Sequence, residues 1–291
     1  MTASPLFKTA AITSLALIAF ALNSVLCRMA LGSAAIDAAS FTVIRLLSGS
    51  IMLLIIISFG RHNRECSATG SWTASLMLFI YALTFSFAYL SLDTGTGALI
   101  LFGSVQITMI LVAVISGVRL HYTEWSGVII AFSGFVYLIL PAVSTPSFSG
   151  LFLMTAAGIA WAIYTLKGRG SVNPLMDTAF NFFRTTPLIL LLTVITLSNA
   201  EYSAQGIILA VLSGAITSAI GYTLWYFALA SLSSTQAAVL QLSVPVIAAA
   251  GGVIFISEAI TLRFTVSTTL VLGGILLVVV GKEHLLRRPF R

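Results

Sequence analysis

The chain has 291 residues, of which 59% are hydrophobic and 8% charged, with a net charge of +6 and a mean hydropathy of +1.09. A soluble domain carries about a quarter charged residues, and no core of this size hides so much apolar surface from water, so the composition excludes a soluble globular protein and makes lipid the solvent. The positive balance is not a nucleic-acid patch, because the basic residues sit in short clusters between apolar runs, where they set membrane orientation.

A helix needs about 20 apolar residues to cross the hydrocarbon. The sequence predicts ten such runs, near 10–31, 38–59, 72–91, 94–117, 123–141, 150–166, 178–198, 205–229, 235–257 and 264–281. The breaks carry turn chemistry or charge: RHNREC (61–66), LDTGTG (92–97), PAVSTPSFSG (141–150), KGRGSVNP (167–174) and SLSS (231–234). The first run is too long for the apolar part of a signal peptide and carries the amide Asn23. The second holds Arg45 in FTVIRLLSGS (41–50). In the third, Tyr81, Phe85 and Tyr89 fall four apart, on one face. The fourth carries Gln106. The sixth contains GIAWAIYTLKG (158–168), with Trp161 and Tyr164 three apart. The seventh repeats the buried arginine as Arg184 in FNFFRTTPLI (180–189). The eighth contains GYTLWYFALA (221–230), which places Tyr222, Trp225 and Tyr226 together. The ninth carries Gln236, Gln241 and Pro245, and the tenth Gly273–Gly274.

With the N-terminus in the cytoplasm, inside loops and tails hold Lys8, Arg61, Arg64, Arg119, Lys167, Arg169, Lys282, Arg287, Arg288 and Arg291, while outside loops hold only Arg28 and Arg263. That asymmetry predicts an even number of spans with both termini cytoplasmic. Cys27 and Cys66 then face opposite sides and do not pair, and His62, His121 and His284 read as solvated residues of loops and tail.

A constant shift of 139 residues maps Arg45 onto Arg184, Phe41 onto Phe180, Leu90 onto Leu229, Thr96 onto Thr235, Ser104 onto Ser243 and Gly134 onto Gly273, and it matches Arg28 with Lys167. Residues 1–144 and 145–291 therefore read as two copies of one five-helix unit. Five is odd, so the second copy enters the membrane from the opposite side. Inverted repeats around a midplane site are the architecture of secondary transporters. The fold expected is all-α and integral to the membrane, with ten helices as two inverted repeats around a central cavity.

Arginines in FTVIRLLSG and FNFFRTTPL, small residues opening the fourth helix of each unit (TGTGALILFGSVQ and STQAAVLQLSVPV), and the closing pattern SEAITLRFTVSTTLVLGGILLV (257–278) resemble the drug/metabolite transporter superfamily, EamA type. Within it the chain is most similar to the bacterial inner-membrane exporters of aromatic amino acids, the YddG type. The first unit has Arg119 where the second has Glu258, so that acidic position is kept in one copy. The resemblance implies a cavity lined by helices one, three, four, six, eight and nine, and export of small amphipathic metabolites, aromatic and other neutral amino acids foremost, from the bacterial inner membrane. The rival is a broader exporter of drugs or nucleosides.

On that basis Asn23, Tyr81, Phe85, Gln106, Trp161, Tyr164, Tyr222 and Trp225 are the candidate substrate-binding residues. Rings supply a wall for a ring-bearing solute; their alternative is packing or an interfacial belt. The amides meet polar groups without net charge; their alternative is helix–helix adhesion. Arg45 and Arg184 can each capture a carboxylate, but their presence in both copies favours fixed structural cations over a site role. Pro245 can kink the ninth helix. No Asp or Glu lies deep in a run, which predicts export down a gradient or a coupling without a buried carboxylate. A membrane enzyme would need acids or a nucleophile at depth, and a channel repeated filter loops or charge rings; neither pattern is present. There is no phosphate-binding loop, and no metal or cofactor is expected. The solute and the bilayer are the expected partners, and oligomeric state is not legible.

Overall fold

Backbone in lipid must bond to itself, and a helix does this within one segment. The computed structural model describes residues 5–59, 70–115, 117, 122–139, 147–232, 237 and 240–286; among these the only non-helical pairing is an isolated bridge between Ile36 and Tyr202. The helices are α1 (Pro5–Gly32), α2 (Ala38–Phe59), α3 (Trp72–Ala88), α4 (Thr94–Ile115), α5 (Tyr122–Ile139), α6 (Phe148–Gly168), α7 (Pro174–Phe183), α8 (Thr186–Thr196), α9 (Ala204–Leu212), α10 (Gly221–Leu229), α11 (Ser243–Ile256) and α12 (Leu262–Leu286), with a π-helical segment, Ser213–Ile220, joining α9 to α10. Among the described residues six stretches are long and apolar enough to cross a membrane: Phe7–Gly32, Ala38–Phe59, Thr94–Val112, Phe148–Gly168, Pro174–Asn199 and Ala204–Leu229. Gln236, Cys66, His62, His121, Arg61, Arg64, Arg119, Arg287, Arg288, Arg291 and the junction at 144–145 lie outside the described residues.

Three of the expected runs are interrupted. The seventh stops at Phe183 and restarts at Thr186, because Pro187 in the first turn of α8 has no N–H for the carbonyl one turn back. Arg184 sits in that break as the cap of α7. The eighth widens into the π segment. In the ninth, the helix breaks at Leu242 and α11 starts at Ser243, with Pro245 in its first turn and no N–H for the Gln241 carbonyl one turn back.

Helix starts are fixed by polar side chains. Ser71, Ser147, Asn173 and Ser203 each accept from a backbone N–H of the first turn of α3, α6, α7 and α9. Asp37 does the same for α2, its carboxylate accepting from Ser40 N–H at 2.9 Å. Asp37 also accepts from Glu201 N–H at 3.0 Å, and with the Asp37 N–H to Glu201 carbonyl bond (2.9 Å) this ties the α1–α2 loop to the loop before α9.

α1 runs through the bundle against α4, α11 and the α9–π–α10 span; α3 and α4 pack on α6; α5 packs on α12. The tightest crossing is between α2 and the π segment. A Cβ on Gly214 would overlap the Arg45 carbonyl and Ser48 Oγ, so only glycine lets these backbones approach. Large apolar side chains line the outside, Phe59 at 87% and Phe148 at 82% exposure among them. In water this would be an aggregation surface; against acyl chains it is a solvated one.

Candidate functional site

The π segment contributes three hydroxyls, from Ser213, Thr217 and Ser218, to the middle of its span. An apolar helix that carries hydroxyls there either bonds them back to its own carbonyls or turns them to a neighbour. Here both occur: Thr217 Oγ1 donates to the Ser213 carbonyl at 2.8 Å and also lies 3.1 Å from Asn23 Oδ1. Ser213 Oγ donates to the same Asn23 oxygen at 2.7 Å. The amide nitrogen of Asn23 donates to Tyr81 Oη at 3.3 Å.

Arg45 enters this network from α2, about 10 Å along the helix from Ala38. It is 1% exposed. Nε donates to Ser218 Oγ at 3.0 Å, and Nη2 donates to Tyr222 Oη at 2.6 Å and Tyr81 Oη at 3.3 Å. The guanidinium lies over the rings of Tyr81 and Phe85, at 5.2 and 5.0 Å from their centroids. Nη1 is buried and has no hydrogen-bond partner. Both ion pairs among the described residues belong to Arg28, so every hydrogen-bond partner of Arg45 is a neutral hydroxyl. A buried cation with neutral partners is costly, because desolvation is only partly offset.

Rings close around the tyrosine ends of this network. Trp161 lies 4.6 Å from Tyr222, 5.0 Å from Tyr81 and 5.4 Å from Tyr164, centroid to centroid. Phe20 meets Trp161, Tyr222 and Trp225 edge-on at 5.3, 5.8 and 5.5 Å. Trp161 Nε1 donates to Gln241 Oε1 at 3.3 Å, whereas Trp225 Nε1 is buried without a partner. The result is a polar head of arginine, amide and hydroxyls joined through two tyrosines to an aromatic body.

Of the residues expected from sequence, Asn23, Tyr81, Phe85, Trp161, Tyr164, Tyr222 and Trp225 meet in this one centre. Gln106 is buried on α4 one turn beyond Phe102, whose ring stacks on Phe20. Arg184 and Pro245 lie elsewhere, at the α7–α8 break and the start of α11. Tyr89, at the end of α3 and on the same face as Tyr81 and Phe85, is fully buried rather than part of an interfacial belt, with its hydroxyl on the Thr94 carbonyl at 3.2 Å. Sequence reasoning missed Phe20, Ser213, Thr217 and Ser218. The cluster of hydroxyls in SGAITSA was the available signal.

A second polar cluster closes one end of the bundle. Glu258, in the α11–α12 turn, accepts from Thr94 N–H at 3.0 and 2.9 Å and from Thr94 Oγ1 at 3.0 Å, which places its charge on the N-terminus of α4. Arg28 Nε lies 3.4 Å from the same carboxylate, and Arg28 Nη1 donates to the Tyr89 carbonyl at 3.0 Å. Ser257 takes the left-handed conformation, φ 57°, to turn the chain there. A hollow of about 50 Å³ opens beside this cluster, between Asp93, Thr96, Glu258 and Arg263. It is distinct from the aromatic centre.

Apolar helices long enough to cross a bilayer, around a buried polar network with rings beside it, mark a multi-pass membrane protein. Residues 148–280 match the EamA-like transporter family. An uncharacterized protein of Pseudomonas aeruginosa is 44% identical over 93% of this chain and 94% of its own length. An uncharacterized transporter of Archaeoglobus fulgidus is 28% identical over 69% of this chain and 73% of its own. A solved structure, described simply as a crystal structure of a protein, shares the fold with a TM-score of 0.64 at 18% identity, over 91% of this chain and 98% of that one. The chain belongs to the EamA-like transporter family.

Proposed function

We propose that this protein is a secondary transporter that exports small amphipathic metabolites, aromatic and other neutral amino acids foremost, by alternating access. The observation that carries the reading is the joined polar and aromatic centre: Tyr81 and Tyr222 are hydrogen-bonded to each other, Tyr81 also to Asn23, and both rings meet Trp161. A solute with a ring and a polar head matches both parts.

The inverted five-helix halves, 1–144 and 145–291, are part of this proposal, and the packing supports them. Exchanging the halves turns the packing of α3 on α6 into that of the α9–π–α10 span on α1. It turns α4 on α6 into α11 on α1, and leaves α5 on α12 unchanged; each of these pairs is in contact. Such an exchange around a central site is what rocking between two access states requires. The charge asymmetry of the loops supports cytoplasmic termini and insertion in a bacterial inner membrane.

Proteoliposomes loaded with labelled phenylalanine test the reading. Efflux is expected to saturate and to be accelerated by unlabelled phenylalanine on the far side. Trp161→Ala is expected to reduce aromatic flux more than aliphatic flux. Unsaturable efflux would make the protein a channel, and no efflux of any amino acid would end the proposal.

A further inference from the structure

The centre described above is short of hydrogen-bond acceptors and of negative charge. Three buried groups in it have no partner: Arg45 Nη1 and Trp225 Nε1, which can only donate, and the Tyr164 hydroxyl, which can do either. Asn23 offers little in return: its carbonyl oxygen already accepts from Ser213 Oγ at 2.7 Å and is crowded by Thr217 Oγ1 at 3.1 Å. Nor, among the described residues, does a carboxylate pair with the guanidinium: both ion pairs belong to Arg28. An ammonium entering here would find no anion and one fixed cation. A carboxylate has acceptors only and supplies the missing charge.

We propose that Arg45 is the anion-recognition residue of the transport site and that the cargo is an aromatic carboxylate, its amine dispensable. This rests on the transport reading above and narrows it. The carboxylate takes Arg45 Nη1 and displaces one of the tyrosine hydroxyls that now occupy Nη2. Those hydroxyls belong to Tyr81 and Tyr222, the rings that contact Trp161, so a head group at Arg45 leaves the aromatic part of the solute against Trp161. The hydroxyls act as placeholders for a charge that arrives with the solute.

Competition against labelled phenylalanine in proteoliposomes tests this, with four unlabelled probes: phenylalanine, 3-phenylpropanoate, phenylalaninamide and phenethylamine. The two carboxylates are expected to compete about tenfold or more better than the amide and the amine, the loss expected for one charge-assisted hydrogen bond. Arg45→Gln is expected to shrink that gap to less than about threefold, and Arg45→Lys, which keeps the charge, to retain it. Equal competition by phenethylamine in the wild type overturns the proposal, whether or not either variant folds. So does an undiminished gap in Arg45→Gln. A carboxylate-free medium held by a zwitterionic buffer, with and without chloride, separates the cargo's carboxylate from a resident inorganic anion. If chloride alone is stabilising and the carboxylates hold no advantage, the inference fails. If labelled phenylalanine does not move at all, the transport reading fails instead; thermal shift with the same four probes then still decides the anion site, since only the carboxylates should raise Tm.

Discussion

Arg45 and Arg184 occupy the same place in two halves that the sequence presents as copies, yet the structure treats them differently. Arg45 is sealed in the middle of the bundle, bonded to three hydroxyls from α3, α10 and the π segment. Arg184 caps α7 at a helix break, is half-buried, and lies over the rings of Trp72 and Phe180 at 5.5 and 5.9 Å. The position is shared and the surroundings are not. What meets the first arginine comes from residues up to 177 positions away, so a matching sequence position does not by itself carry a matching polar centre.

The sharpest way to break this comparison is to remove each charge in turn. Arg45→Gln should lower phenylalanine flux about a hundredfold at matched protein, whereas Arg184→Gln should lower it less than about threefold, a difference of about 2 kcal/mol in barrier. Equal losses would mean that both cations are structural, as their duplication alone suggests. Next in size is the contact that holds Arg45's backbone in place. Gly214→Val pushes a side chain into the Arg45 carbonyl, and should cost about 1–3 kcal/mol, read as a lower Tm in detergent. Removing the hydroxyls that serve Asn23 sharpens the same point: Ser213→Ala with Thr217→Val leaves its buried oxygen without donors, at about 1–3 kcal/mol.

Much of the difference was hidden from sequence for a physical reason. Apolar length and turn residues located the helical stretches, and ring spacing at three and four residues brought out Trp161, Tyr164, Tyr222 and Trp225, which do pack together. Phe20 was lost among equally apolar neighbours in LIAFAL. Ser213, Thr217 and Ser218 were lost because a lone hydroxyl in a membrane helix ordinarily satisfies itself on its own backbone. Glu258 read as a loop acid, and only folding brings it onto the start of α4, 164 residues away. Pro187 was visible, but the run around it is so apolar that length outweighed the break.

The smallest expected effect separates the caps of the two arginine helices. α2 is capped by Asp37 and α7 by Asn173. Partial burial alone would raise the Asp37 carboxyl, but hydrogen bonds from Ser40, Glu201 and Ala39 outweigh it and hold it below its usual range. A lowered folded value means the cap's contribution is complete above the unfolded value of about 3.9 and is lost as pH falls through the folded one. Asn173 does not titrate. Asp37→Asn should therefore flatten the acid limb of a Tm–pH profile below about pH 4, and Asn173→Ala should shift the whole profile down without changing its shape.

The π segment has a consequence of its own. Winding at five residues per hydrogen bond stores an extra amino acid inside one span. That surplus behaves like a dislocation in a crystal: it can be moved along the rod without lengthening it. Each single-residue step re-phases the turns it passes by about 100°, while the points where the rod enters and leaves the bilayer stay put. Thr217 and Ser218, which touch Asn23 and Arg45, both lie inside this widened stretch, so the surplus residue sits where the span meets the polar centre.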